Sequence, residues 1–146
     1  MRVTVTATIH HPPQVVFRTA ASPEKELEWD PGTLTVEKLT DGPLGKGSRY
    51  RGKFKGFGTI EYEFVEFDEP RRFVHQARIA IGTFQHRFTF EPVSGGTRLT
   101  QEGELWPTVL GRIAAPVVKS MLGKRFRLIA AQVDRYLQLK SQGDQA

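Results

Sequence analysis

Two histidines, His75 and His86, are the residues of this chain best suited to acid–base chemistry, because both lie in segments where apolar and polar residues alternate. Burial among aromatic rings lowers the pKa of an imidazole, so that the ring is neutral at pH 7 and can exchange a proton. Such a group could remove a proton next to a carbonyl group. The alternative is a structural histidine hydrogen-bonded to Tyr50, Tyr62 or Gln101, which we favour because no carboxylate shares a strand face with either imidazole.

Metal and nucleotide chemistry have little support in the sequence. Two histidines without a third ligand are not enough for a zinc site, and the chain has no cysteine. Segment 42–48 contains glycines and a lysine, but its order is Gly-Lys-Gly-Ser and a strand follows it. A phosphate-binding loop needs Gly-Lys-Ser/Thr before a helix. We therefore expect a glycine-rich hairpin loop, no metal and no cofactor.

Arg125 is a third candidate for contact with a ligand, because it lies near the edge of an apolar helical stripe. Its guanidinium could hold a carboxylate or phenolate inside the protein, or it could extend outward into water. Trp29 and Trp106 both lie where a predicted element ends. Each could pack against its neighbours or form part of the rim of a ligand site.

These side chains must be positioned by strands, since the sequence repeats with a period of two over most of its length. The predicted strands cover residues 2–9, 33–40, 48–55, 58–68, 71–81, 83–91 and 97–106. Short turns between successive strands predict a sequential antiparallel sheet. Prolines 13 and 23 suit the first turns of two short helices after the first strand. A tight turn at residues 82–83 would place Ile79 opposite His86, with both histidines on the inner face.

Residues 116–139 predict one long helix, in which apolar side chains recur at steps of three and four residues. The stripe consists of Val118, Leu122, Phe126, Ile129, Val133 and Leu137. Pro116 suits the first helical turn, and Gly143 lies beyond the predicted end. Such a helix would be about 35 Å long. Its apolar side must be covered, and the predicted sheet is the element broad enough to do so.

Length and composition indicate one folded domain, which we place at residues 1–140, followed by a polar tail at 141–146. The formal net charge is +5, but the 21 basic residues are spread along the chain, so nucleic acid is not an expected partner. No segment approaches the roughly 20 apolar residues of a membrane span. We expect a cytoplasmic protein without an integral membrane segment, and a homodimer remains an open alternative.

Several short motifs and the order of the elements carry a resemblance to a known superfamily. The motifs are Pro-Pro-Gln-Val-Val-Phe at 12–17, Glu-Trp-Asp-Pro-Gly at 28–32, Asp-Gly-Pro-Leu-Gly-Lys-Gly-Ser at 41–48, Asp-Glu-Pro-Arg-Arg-Phe at 68–73 and Gly-Gly-Thr-Arg-Leu-Thr at 95–100. The chain resembles the START-like, helix-grip superfamily, and within it the bacterial polyketide cyclase/dehydrase-like branch. The resemblance implies an α+β fold with a seven-stranded curved antiparallel sheet around a long C-terminal helix, two short helices after the first strand, and an apolar cavity.

The aromatic inner face and this resemblance together predict a protein that binds a small hydrophobic molecule of aromatic, polyketide-like or lipid-like type. One alternative is a cyclase or dehydratase with His75 or His86 as acid/base, and another is an adaptor that delivers lipid or contacts a protein partner. We lean towards a binding protein rather than an enzyme. The expected ligand contacts are Trp29, Tyr50, Phe54, Tyr62, Phe64, His75, Ile79, Phe84, His86, Phe88, Gln101, Met121, Leu122 and Arg125.

Overall fold

The computed structural model describes residues 1–144 and contains an antiparallel sheet, two short helices and one long helix. The elements, in chain order, are β1 (Arg2–Ile9), α1 (Pro13–Ala21), α2 (Pro23–Trp29), β2 (Thr33–Lys38), β3 (Arg49–Phe54), β4 (Gly58–Asp68), β5 (Arg72–Ile79), β6 (Gly82–Val93), β7 (Gly96–Pro107) and α3 (Val109–Asp144). The predicted order of elements is confirmed.

All seven strands belong to one sheet, in the order β1-β7-β6-β5-β4-β3-β2. Strands β2 to β7 follow one another as neighbours, whereas β1 pairs with β7 in antiparallel register, from Arg2 opposite Glu104 to Ile9 opposite Thr97. The sheet curves around α3, which buries Phe126 and Val133 in the shared core. The α+β helix-grip fold predicted from the sequence is therefore confirmed.

The long helix begins earlier than its sequence pattern predicted, so that Pro116 lies inside α3 rather than in its first turn. Thr108 provides the start: its Oγ1 accepts a hydrogen bond from the Gly111 N–H at 3.2 Å, and its own N–H donates to the Ile81 carbonyl at 3.0 Å. Inside a helix a proline has no N–H to donate to the carbonyl four residues earlier, so Pro116 leaves the Arg112 carbonyl without that helical hydrogen bond. The start is thus determined by a contact with the β5–β6 turn, which local periodicity does not reveal.

The far end of α3 also differs from the prediction, because the helix continues through Gly143 to Asp144. The first residues of the predicted polar tail at 141–146 are therefore helical, and residues 145 and 146 lie outside the described part of the chain. None of the described helices combines the length and apolar character that crossing a membrane requires.

The register between β5 and β6 is four residues away from the predicted one. The turn falls at residues 80–81, Ile79 is opposite Gly82, and His75 rather than Ile79 is opposite His86. Gly82 has φ of +141°, and a Cβ atom there would overlap the Trp106 carbonyl oxygen, so glycine is required at the start of β6. Because the shift is an even number of residues, each side chain keeps its predicted face.

Replacing Gly111 by alanine should destabilise the fold, because the new Cβ would overlap the carbonyl oxygen of Ile81. Forcing extra volume into a packed contact costs about 1–3 kcal/mol. Gly123 in the same helix is the matched control, since the nearest atom to its Cβ, at 3.5 Å, belongs to the flexible Arg127 side chain. Gly123→Ala should leave stability unchanged or raise it by up to about 1 kcal/mol. Equal midpoints of urea unfolding for the two variants would contradict this account of the helix start.

Candidate functional site

A cavity of about 130 Å³ lies between α2, strands β3 to β6, and α3. Cavities of about 150 Å³ hold one benzene ring, so the space matches a single aromatic ring. Nine of the side chains expected from the sequence line it: Trp29, Phe54, Tyr62, His75, Phe84, His86, Phe88, Leu122 and Arg125. Glu26 and Asp30 line it as well and were not predicted. The cavity is therefore aromatic, with polar groups at a few defined positions.

The other predicted contacts, Tyr50, Phe64, Ile79, Gln101 and Met121, lie outside the lining of this cavity. Tyr50 is fully buried behind Tyr62, and its hydroxyl donates to Glu24 Oε1 at 3.1 Å. Ile79 lies at the end of β5 beside the turn, and Met121 is on the exposed side of α3. The alternation of residues along a strand predicts which side of the sheet a side chain faces. It does not predict how far along the strand the cavity extends.

Phe64 and Gln101 are buried in contacts that support the lining residues. Phe64 packs edge-on against His75, with ring centroids 4.5 Å apart. Gln101 is fully buried, and its Nε2 donates to the Phe126 carbonyl at 2.7 Å. Both residues therefore position the cavity wall rather than form its surface.

His86 is held on both faces and at one edge. Its ring stacks on Phe88 and on Phe126, each at a centroid distance of 4.1 Å. Because the Gln101 amide nitrogen donates to a backbone carbonyl, its Oε1 accepts from His86 Nε2–H at 3.1 Å. Nδ1 is then the unprotonated nitrogen. Burial, with a smaller effect of neighbouring His75, lowers the pKa of His86 well below its usual value.

His75 lies beside Tyr62 and has no such partner. Burial lowers the pKa of His75 to about 3, so the imidazole is neutral at pH 7. Within the part of the chain that the structure describes, His75 Nε2 and the Tyr62 hydroxyl are buried without a hydrogen bond. Their rings are neighbours, with centroids 4.8 Å apart. Unpaired buried polar atoms are costly, and both atoms belong to side chains that line the cavity.

Arg125 points into the protein and forms a two-pronged ion pair with Asp30. Nη1 donates to Oδ1 at 3.0 Å and Nη2 to Oδ2 at 2.6 Å. The Asp30 side chain is 1% exposed and that of Arg125 is 17% exposed. Gly32 permits this approach, because a Cβ there would overlap Nη1. The sequence left open whether this guanidinium points inward or outward. It points inward and pairs with a carboxylate of the protein itself.

Glu26 lies next to this ion pair, and its carboxyl group is linked to the carboxylate of Asp30 through the Thr33 hydroxyl. Thr33 Oγ1 lies 3.1 Å from Glu26 Oε2 and 2.9 Å from Asp30 Oδ2. Burial is the main cause that raises the pKa of Glu26 to about 8. The sequence signal that could have identified both acids is their spacing of four residues, which puts two side chains on one helix face. Among the described residues, no three or more His, Cys, Asp or Glu side chains are arranged to hold a metal ion.

Replacing Arg125 by alanine is expected to lower the free energy of unfolding by about 3–5 kcal/mol, because Asp30 would remain as a buried charge without its partner. Urea unfolding measures this. Arg127→Ala on the same helix is the control, since that side chain is exposed, and it should change stability by less than about 0.5 kcal/mol. A combined Asp30→Asn and Arg125→Met variant should regain much of the loss. Similar losses for Arg125→Ala and Arg127→Ala would show that the pair contributes nothing.

Glu26→Gln is expected to remove a pH dependence of stability. In the wild type the native state keeps a proton that the unfolded chain releases above pH 4.5, so stability falls as the pH rises from about 4.5 to about 8 and is level above that. The loss amounts to a few kcal/mol, since each pKa unit corresponds to about 1.4 kcal/mol. Glu28→Gln, at an exposed position of the same helix, is the control. Parallel stability curves for the wild type and Glu26→Gln would refute the buried neutral acid.

The whole chain is similar to known proteins of the same architecture. The family model for polyketide cyclase / dehydrase and lipid transport matches residues 1–138. No curated protein matches the sequence. TTHA0849 from Thermus thermophilus is a solved structure with 17% identity and a TM-score of 0.76, and the match covers 97% of this chain and 99% of that one.

One further solved structure comes from a biosynthetic pathway and another from a biosynthetic locus. The di-domain ARO/CYC protein BexL of the BE-7585A pathway has 19% identity and a TM-score of 0.80, with 93% of this chain and 49% of BexL covered. DynU16 from the dynemicin biosynthetic locus has 18% identity and a TM-score of 0.71, with 94% and 47% covered. At these identities the structural similarity shows the fold. Since the family model spans almost the entire sequence, the chain belongs to the polyketide cyclase / dehydrase and lipid transport family.

Proposed function

We propose that this protein binds a small hydrophobic ligand with an aromatic ring in the cavity between the sheet and α3. The observation that supports this most directly is the cavity lining, in which aromatic and aliphatic walls surround a few polar side chains, among them Glu26, Asp30 and Arg125. Apolar walls contribute about 25 cal/mol for each Å² of surface removed from water. A few polar groups then orient the ligand. The predicted ligand contacts that line the cavity form the proposed site.

The cyclase or dehydratase alternative is supported by the description of the family. The histidines weigh against it as acid/base groups, because an efficient general base has a pKa near the working pH. The pKa of His75 is about 3, and burial also lowers that of His86. Neutral imidazoles with so little basicity suit hydrogen bonding to a ligand better than proton abstraction. Ligand binding without a reaction is therefore our proposal, and the adaptor role, cytoplasmic location and homodimer remain predictions.

Filling the cavity should weaken binding without unfolding the protein. Ala77 lines the cavity and is 8% exposed, so Ala77→Leu would place three additional carbon atoms in the space that a ring needs. We expect the affinity for toluene or benzyl alcohol to fall at least tenfold, which corresponds to about 1.4 kcal/mol. Titration monitored by methyl NMR would measure it, with shifts expected at Ile129 in the cavity wall and not at Ile9.

The matched control is Ala131→Leu, the same substitution at an exposed position of α3. It should bind both probes as the wild type does. If the wild type shows no saturable shifts with either probe, the proposed function is wrong. If Ala77→Leu binds as tightly as the wild type, ligands bind elsewhere and this cavity is not the site.

A further inference from the structure

The hydroxyl of Thr33 lies between two carboxyl groups, and it has only one hydrogen to donate. Its Oγ1 is 2.9 Å from Asp30 Oδ2 and 3.1 Å from Glu26 Oε2. All three side chains are buried. Both contacts can be hydrogen bonds at the same time only if one of the two carboxyl groups carries a proton and donates it.

The proton belongs to Glu26. Asp30 accepts two charge-assisted hydrogen bonds from Arg125 and one from the Gly32 N–H at 2.9 Å, a set of partners that stabilises an ionised carboxylate. Thr33 therefore donates to Asp30 and accepts from Glu26 Oε2–H. Burial raises the pKa of Glu26 to about 8, an effect larger than the opposing effect of a hydrogen bond from Thr33.

The charged and titratable groups around Glu26 come from several elements. Asp30 and Glu24 favour its protonated form, and Arg125 from α3 opposes it. Tyr62 from β4 faces the same acid, and burial is the main cause that raises the pKa of its hydroxyl, which is therefore neutral. Since Arg125 is fully matched by Asp30, the polar end of the cavity carries no net charge while Glu26 is protonated.

The second oxygen of Glu26 is the part of the acid that a ligand can use. Among residues 1–144, Oε1 makes no hydrogen bond, and Glu26 lines the cavity together with Trp29 and Phe54. With the proton on Oε2, Oε1 is a hydrogen-bond acceptor. A ligand that lies against the aromatic walls and carries a donor group at this end would complete the site.

We propose that the preferred ligand is an aromatic or otherwise hydrophobic amine in its protonated form, held by the carboxyl group of Glu26. On binding, the O–H bond of the carboxyl breaks, its electron pair remains on oxygen, and the proton passes to the buffer. The resulting carboxylate pairs with the ammonium group. This inference rests on the proposed function, and it adds the chemical class of the ligand.

The same geometry disfavours anionic ligands. The guanidinium of Arg125 already donates to both oxygens of Asp30, so a ligand carboxylate would have to displace a carboxylate of the protein. A second negative charge near Asp30 would also be repelled. Three ligands that share one ring and differ in the polar group therefore report on this site: benzylamine, benzyl alcohol and benzoate.

The experiment is calorimetric titration of the wild type at pH 7 with each of the three, in two buffers that differ in ionisation enthalpy. We expect benzylamine to bind on the order of tenfold more tightly than benzyl alcohol, because its hydrogen bond is charge-assisted, and benzoate to bind most weakly. Benzylamine should release close to one proton for each molecule bound. Benzyl alcohol should release none.

Glu26→Gln should abolish the proton release and reduce the preference for the amine over the alcohol to about one. Glu28→Gln should retain both. If the wild type binds the amine and the alcohol equally and releases no proton, the inference is overturned, while the proposed function stands. If none of the three ligands and no toluene binds, the proposed function itself fails. Proton release by the wild type decides the question even if Glu26→Gln does not fold.

Discussion

The buried ion pair between Asp30 and Arg125 is the interaction on which the cavity depends. It joins two segments that are 95 residues apart in the chain, the end of α2 and the middle of α3. Without the guanidinium, Asp30 and Glu26 would be two acids in one apolar space. With it, Asp30 can remain ionised, Thr33 can donate to it, and Glu26 can keep its proton. A pair of this kind adds little net stability, but here it determines the charge of the site.

The native state keeps its cavity neutral by holding three titratable groups away from their usual ionisation. Glu26 disfavours the folded state as the pH rises from about 4.5 to about 8, whereas His75 disfavours it as the pH falls from 6.5 towards 3. His86 acts in the same direction as His75. Glu26 and the two histidines therefore act in opposite directions across the weakly acidic range. The folded state loses stability because these polar groups are buried where they contact a ligand instead of water.

Much of the fold could be predicted from the sequence, because alternating strands and a stripe such as Phe126 to Leu137 are recorded in local periodicity. The faces of His75 and His86 were correct despite the wrong register, since an even shift preserves them. The start of α3 was missed: Thr108 caps the helix by accepting from the Gly111 N–H, and its own N–H is held by the Ile81 carbonyl in the β5–β6 turn. Asp30 was missed because its main partner, Arg125, is 95 residues away in the chain, and Glu26 because the local pattern does not show that it is buried.

The pairing of the first strand with the last has a consequence for synthesis of the chain. β1 has no partner strand until residues 96–107 of β7 exist, and α3 follows later still. At about 5–20 residues per second, the ribosome needs on the order of ten seconds to bridge that interval. During this time Val3 and Ile9, which are buried in the finished protein, have no native strand to cover them. Until β7 is made, the apolar residues of β1 stay uncovered and can aggregate or bind chaperones, because β1 joins the sheet last.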